Sequence, residues 1–247
     1  MKILTVDIET FPHEVYAWGL HDQNISLNQI KKPGTVACFA AKFLGEKTVH
    51  FSSVHAGTEK AMIRKAHDLL SEADVAVGWN STAFDVKWLQ GQMVKHGLPP
   101  PKPFKQIDLL RTARGKFRLA SNKLDYVAQF LGLGCKEQTG GFQLWRDCMA
   151  GDDKAWKKME KYNIQDVRLT EAVYLKLRPW IVNHPNIGTY DGEHCCPSCG
   201  GDKIQSRGYY VTRHRKYPQA QCRGCFAWLY LVKGTFQKGV QGLRAAT

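Results

Sequence analysis

Lys2-Ile3-Leu4-Thr5-Val6-Asp7-Ile8-Glu9-Thr10 is the stretch on which the reading of this chain turns. Residues 2–8 are apolar and β-branched enough to form a buried strand. Asp7 and Glu9 stand two apart on it, so their carboxylates project from one face. Like charges aimed the same way at the end of a buried strand repel, and a divalent cation is the usual compensation. Taken alone, an Asp-x-Glu pair more often marks the point where a strand leaves the core and meets water.

Outward from this strand, the pattern of apolar residues predicts further strands at 14–20, 36–44, 48–51, 74–79 and 107–110. Helices are expected at 60–71, 85–96 and 124–131, and a long one begins at Asp152 or Asp153 and runs to about 177, before Pro179. The prolines of 99–103 make a rigid loop, and 111–118 is a basic segment. Early strands followed by alternating helices and strands imply an α/β domain with a mixed sheet over 1–182. Pro185, Gly188 and Gly192 mark 183–193 as a linker. A small cysteine-rich module follows at 194–233, and 234–247 reads as a flexible basic tail.

Bulk properties narrow the function classes. With 43% hydrophobic and 23% charged residues in 247, the chain is an ordinary folded protein. No apolar run approaches the roughly 18 residues of a membrane span, so no membrane partner is expected. The acid at position 7 interrupts any signal peptide, and a cytoplasmic location is expected. The net charge of +13, from 35 basic and 22 acidic residues, favours a polyanionic partner, most simply nucleic acid. The excess is concentrated: 183–247 carries 9 basic and 3 acidic residues, with no acid after Asp202.

Two further segments join the Asp7/Glu9 pair. Gly78-Trp79-Asn80-Ser81-Thr82-Ala83-Phe84-Asp85 ends a buried strand in a polar turn, with Asp85 at a helix start, where an ordinary N-cap is the simpler reading. Tyr162-Asn163-Ile164-Gln165-Asp166 places a tyrosine and an acid on one helix face at i and i+4. Asp108, at another strand end, is either a supporting acid or a helix cap and is left outside the set.

In order and placement these segments resemble the three exonuclease motifs of the DEDD superfamily in its tyrosine-containing branch. The resemblance implies a DnaQ-like, ribonuclease H-like α/β fold, similar to that of the exonuclease domains of family B DNA polymerases. The resemblance spans about 1–180, including Ile107-Asp108-Leu109 and the segment 121–132. It implies a 3′–5′ exonuclease in which Asp7, Glu9, Asp85 and Asp166 hold two Mg²⁺ or Mn²⁺ ions, hard cations suited to carboxylate oxygen. It implies that Tyr162 orients the attacking water. Positioning suits it better than base catalysis, because a phenol's ordinary pKa is about 10. By the same resemblance Thr10, Phe11, Asn80 and Phe84 line the terminal nucleotide's pocket, plain core packing being the alternative for the aromatics.

The C-terminal module has its own signature. Cys196-Pro197-Ser198-Cys199 and Cys222-Arg223-Gly224-Cys225 are two C-x-x-C knuckles, the spacing that closes a four-thiolate zinc site. Cys196, Cys199, Cys222 and Cys225 are expected to hold one structural zinc, with Cys195, His194 and His214 as possible substitutes. The module is similar to zinc ribbons of some insertion-sequence transposition proteins. Between the knuckles, Arg213, Arg215 and Lys216 interleave with tyrosines, a pattern that suits phosphate contact and base stacking. Nucleic acid is therefore the expected partner, and the resemblances to polymerase exonuclease domains and transposition-type ribbons imply DNA over RNA. A non-catalytic nucleic-acid-binding protein, or a ribbon that docks a polymerase or recombination factor, remains open at this point.

Overall fold

The computed structural model describes residues 1–188 and 195–231, and the backbone of 243–245. The chain divides into two compact units, one made of Lys2–Asp108 and Gly132–Glu171, the other of Met1, Leu109–Leu131 and Ala172–Thr247.

The first unit is built on a five-stranded mixed sheet in the order β5-β4-β1-β6-β7. Its strands are β1 (Ile3–Phe11), β4 (Thr35–Phe43), β5 (His50–Ser53), β6 (Val75–Gly78) and β7 (Lys105–Asp108). β4 runs antiparallel to β1 and β5, whereas β6 runs parallel to β1 and β7. Parallel pairing demands crossovers, and these are α1 (Glu59–Glu72) before β6 and α2 (Asp85–Lys95) before β7.

Alternation along β1 sorts its side chains. Leu4, Val6 and Ile8 enter a core with Met62, Ile63 and Leu70 of α1 and Leu89 and Met93 of α2. The opposite face of the sheet carries a second core, in which Ala37 and Cys38 of β4 meet Leu144 and Cys148 of α5 (Gln143–Met149) and Trp156 and Met159 of α6 (Asp153–Leu177). Phe11 meets Trp156 edge to face at 5.9 Å. Lys42 of β4 bonds both oxygens of Glu171 at 2.7 Å, a half-buried ion pair that holds α6 against the sheet. Asp7 and Glu9 therefore belong to the face covered by α6.

Several expected boundaries move. The expected strand at 14–20 shrinks to β2 (Glu14–Val15), paired with a short β3 (Ile30–Lys32) that the sequence reading had not marked. Tyr16, Trp18 and Leu20 alternate like a strand but are exposed. The strand expected to run to Leu110 ends at Asp108, and the basic segment after it is largely α3 (Leu109–Lys116). Its Leu109, Leu110 and Ala113 are buried, with Arg111 and Arg114 outside the core, and so short a run shows too few turns to declare its period. α5 escaped for the same reason.

The second unit contains α3, α4 (Leu124–Phe130), the end of α6 and a 3₁₀ turn at Arg178–Trp180. It also contains an antiparallel sheet in the order β11-β10-β9-β8. These strands are β8 (Ile204–Val211), β9 (Lys216–Cys222), β10 (Trp228–Leu231) and β11 (Leu243–Ala245). Of the expected linker, module and tail, residues 189–194, 232–242 and 246–247 lie outside the described residues, His194 among them. Among the described residues no helix is long and apolar enough to cross a membrane.

Gly78 shows how tightly the end of β6 is drawn. A Cβ there would lie 2.6 Å from Ser81 Cβ and 3.1 Å from the Val6 carbonyl oxygen. Gly78→Ala is expected to lower unfolding free energy by about 1–3 kcal/mol through overpacking, read as a shifted urea midpoint at unchanged slope.

Candidate functional site

β1 carries Asp7 and Glu9 to its C-terminal end, where a bulge between Glu9 and Thr10 breaks the register with β4. Bulges of this kind re-aim side chains at the rim of a sheet. α6 brings Tyr162, Asn163 and Asp166 over the same spot. Asn163 donates from Nδ2 to Asp7 Oδ2 at 2.7 Å, fixing both the carboxylate and the rotation of the helix. Carboxylate oxygens of Asp7, Glu9 and Asp166 all lie within 4.8 Å of one another.

Asp85 reaches the site from the turn after β6. Asn80 takes the left-handed conformation, φ 65°, which asparagine tolerates better than most residues. Asp108 at the end of β7 holds the turn: its carboxylate accepts from the Asn80 N–H at 3.0 Å, the Thr82 N–H at 3.3 Å and the Thr82 hydroxyl at 2.6 Å. Phe84 is the helix cap and Asp85 the first residue of α2, not the cap itself. Asp85 is buried, and Oδ1 accepts the Ile8 N–H at 3.1 Å, which locks the turn onto β1. It stands beside the cluster of three oxygens rather than within it.

The remaining expected residues divide. Phe84 is 39% exposed with Trp88 at 6.3 Å, so its ring is available as a platform. Phe11 is half-buried and packed on Trp156, the core role the sequence left open. Thr10 and Asn80 are half-buried at the rim.

Burial makes this arrangement costly for its charges. The Asp7 carboxyl is pushed well above the ordinary carboxylate range by desolvation and then by the charges of Asp85, Glu9 and Asp166. Glu9 rises to about 8, first by burial and next by Asp166. Asp85 rises to about 7 by burial, opposed by the hydrogen bond from Ile8. Acids so placed lack positive charge, and their hard oxygen donors within one small space fit a divalent cation such as Mg²⁺ or Mn²⁺.

Lys136 supplies part of the missing charge and was not found from sequence. Its ammonium bonds Asp166, reaches the Tyr162 hydroxyl at 3.2 Å and lies 5.2 Å from the ring centre. Burial disfavours that charge, yet Asp166 and Tyr162 hold its pKa above the ordinary lysine value. Lys136 sits in a loop between Gly134 and Gly140, where no periodicity announces a side chain's direction. Asn163 was legible in principle, since it shares a helix face with Asp166 at i and i+3. The Tyr162 phenol is pushed up by burial, then by Asp166 and Glu9, so it stays protonated. Trp145 meets it edge to face at 6.2 Å.

In the second unit, Cys196, Cys199, Cys222 and Cys225 bring their sulfurs within 4.8 Å of one another. The Cys196–Cys225 and Cys199–Cys222 separations are both 3.6 Å. A tetrahedral ion with bonds of about 2.3 Å sets sulfurs about 3.8 Å apart, so the spacing fits zinc. The Gly201 and Gly224 N–H groups donate to Cys199 and Cys222 at 3.3 Å, bonds that favour thiolates. Cys195 lies outside this group, and His214 is exposed with Arg213, Arg215 and Lys216 around the β8–β9 turn. Lys216 Nζ stands 4.0 Å from the centre of the Tyr209 ring.

Comparison with known proteins now places the fold. Residues 6–178 match the family model of the RNase_H superfamily. The chain belongs to the RNase_H superfamily. No curated protein matches it in sequence. Among solved structures it is similar to the family B DNA polymerase of the hyperthermophilic archaeon Pyrobaculum calidifontis, with a TM-score of 0.54 and 20% identity. The match covers 72% of this chain and 24% of the polymerase. The mixed sheet flanked by helices is thus an RNase_H-type, nuclease-type fold. Asp7, Glu9, Asp85, Tyr162 and Asp166 all fall inside the superfamily match, whereas the four clustered cysteines fall outside it.

Asp108 is the structural keystone of the RNase_H-superfamily turn that presents Asp85. Asp108→Ala, which leaves the Asn80 and Thr82 donors without this carboxylate, is expected to cost about 1–3 kcal/mol in urea unfolding, with Asp108→Asn recovering part of the loss.

Proposed function

We propose that this chain is a metal-dependent 3′–5′ exonuclease that hydrolyses phosphodiester bonds at nucleic-acid 3′ ends, with DNA favoured. The observation that carries the reading is the convergence of Asp7, Glu9 and Asp166 within 4.8 Å, under a tyrosine and a lysine and beside Asp85. A protein has little reason to bury acids so close together unless a cation binds them. Asp7, Glu9 and Asp166, with Asp85 beside them, would hold two Mg²⁺ or Mn²⁺ ions. When bound, such ions lower the pKa of water and stabilise the oxygens of an in-line displacement at phosphorus.

The remaining parts are the chain's own. Tyr162 keeps its proton and orients the attacking water through its hydroxyl. Lys136, already directed at Tyr162 and Asp166, supplies positive charge where the scissile phosphate gains negative charge. Asn163 holds Asp7 in its ligating orientation. Thr10, Asn80 and the exposed ring of Phe84 would border the terminal nucleotide. In the C-terminal module, at 194–233 beyond a catalytic domain at 1–182, the four cysteines hold one structural zinc. Arg213, Arg215 and Lys216 grip the strand, raising its local concentration by tethering. The similarity to a DNA polymerase leans the substrate toward DNA, and a polymerase or recombination partner is compatible with the ribbon.

A second reading has one observation in its favour. Lys136 already pairs with Asp166, so part of the acid cluster is compensated without an ion, as in a non-catalytic nucleic-acid-binding protein. The two readings separate on metal response. Mn²⁺ added to metal-depleted but zinc-loaded protein should raise Tm, and Asp7→Asn should remove that rise; no rise in the wild type favours the second reading.

With Mg²⁺ or Mn²⁺, a 5′-labelled strand should shorten progressively and a 3′-labelled strand should release mononucleotide first, whereas Asp7→Ala should show no cleavage. Full activity in Asp7→Ala, or none in the wild type with either metal, would overturn the proposal. Tyr162→Phe is expected to lower kcat by about 10²-fold, within the range for loss of one aligned catalytic hydrogen bond, while leaving the Mn²⁺-induced Tm rise intact. Elemental analysis should find about one zinc per chain, and its removal should unfold the module while the first unit keeps its helical signal.

A further inference from the structure

The second unit contains a hollow of about 570 Å³ whose lining touches the cysteine cluster at Cys225 and is otherwise made of residues given no role above. It lies among Lys116 of α3, Lys176 in the last turn of α6, Trp180 of the 3₁₀ turn, Phe226 just after the second cysteine knuckle and Trp228 at the start of β10. Its size is that of a small-molecule site, and among the described residues no acidic side chain lines it. Trp180 is 53%, Phe226 65% and Trp228 41% exposed, an unusual concentration of uncovered rings. Phe117 props Trp180 edge to face at 5.5 Å.

Phe226 is the informative member. Its backbone is left-handed, φ 64°, a conformation costly for any side chain but glycine's and, less so, asparagine's. The turn itself uses only backbone groups of this residue: its N–H donates to the Cys222 carbonyl at 3.0 Å, and its carbonyl accepts from Gln221 Nε2 at 3.2 Å. Glycine would make both bonds without strain. Nor does the ring gain much burial in exchange. A strained position that displays an aromatic ring beside two lysines needs a reason outside the fold.

We propose that this hollow binds the bases of a single-stranded nucleic acid, with Phe226, Trp228 and Trp180 as stacking platforms and Lys116 and Lys176 taking the adjacent phosphates. Unpaired bases offer a π-face to aromatic rings regardless of sequence, whereas bases within a duplex are already stacked on each other. The charge matches: α3 and the segment after it add Arg111, Arg114 and Arg118, and no acid occurs between 109 and 118 or after 202. This deepens the nucleic-acid reading given above by naming a strand class and a site apart from the β8–β9 turn.

The test uses the full-length, zinc-loaded chain carrying Asp7→Ala, so that binding is read without cleavage. The probes are 5′-fluorescein oligothymidylate and oligouridylate of about 12 nucleotides, within the span of known single-strand sites, and a blunt hairpin duplex. Either single strand should bind more tightly than the duplex. Phe226→Gly should weaken single-strand binding about tenfold, the scale of one lost stacking contact, while raising rather than lowering Tm. Trp228→Ala should weaken it similarly. Lys116→Ala and Lys176→Ala should each flatten the salt dependence by about 0.7 in log–log slope.

Unchanged affinity in both Phe226→Gly and Trp228→Ala would overturn the proposal, as would preference for the duplex. So would a concentration-dependent dimer that Trp228→Ala dissociates without changing oligonucleotide affinity, which would assign the rings to self-association. Cleavage by the wild type is scored separately. Cleavage with ring-independent binding removes only this site, and ring-dependent binding without cleavage removes only the exonuclease reading.

Discussion

Mutual repulsion among buried carboxylates is the constraint around which this chain is arranged. Asp7, Glu9 and Asp166 converge in a place where burial and neighbouring charge hold Asp7 and Glu9 far from their ordinary protonation. A fold can maintain such a cluster only if surrounding bonds over-determine it. The Asn163 bond to Asp7, the Ile8 bond to Asp85 and the Lys136 bond to Asp166 each tie a different segment to the site. Together they couple β1, the first turn of α2, α6 and the loop before α5, so the architecture of the first unit and the chemistry of its site are one problem.

The apolar packing supports this at a distance. Every second residue of β1 is committed to the core beneath α1 and α2, which leaves the alternate residues for the face under α6. A slip of one residue would send Asp7 and Glu9 into hydrocarbon and bring Val6 and Ile8 out, at prohibitive cost. The half-buried Lys42–Glu171 pair, farther along α6, adds a second charged anchor to the helix. Hydrophobic alternation sets which face the acids occupy, and the polar anchors set where the helix stands over them.

The cysteine module solves a different problem. Among the described residues its core cluster is small, made of Cys196, Cys222, Ala227 and Leu229. Its four sulfurs lie at a spacing that a tetrahedral zinc ion would fit.

Much of this was legible in the sequence. Period-two alternation at 2–8 placed Asp7 and Glu9 on one face, i and i+4 spacing joined Tyr162 to Asp166, and the paired C-x-x-C spacing marked the cysteine cluster, because each signal is local and follows from the geometry of one element. Short helices were legible unevenly: α4 was marked, whereas α3 and α5, of similar length, were not, because so few turns show a period only weakly. Lys136 and Asp108 were decided only by tertiary structure. Lys136 is carried by a glycine-flanked loop, and Asp108 acts on residues 26 and 28 positions earlier in the chain. The sequence by itself determined which acids share a face; the folded chain alone decided which cation and which hydrogen bonds meet them, because those partners approach from separate segments whose juxtaposition no local periodicity encodes.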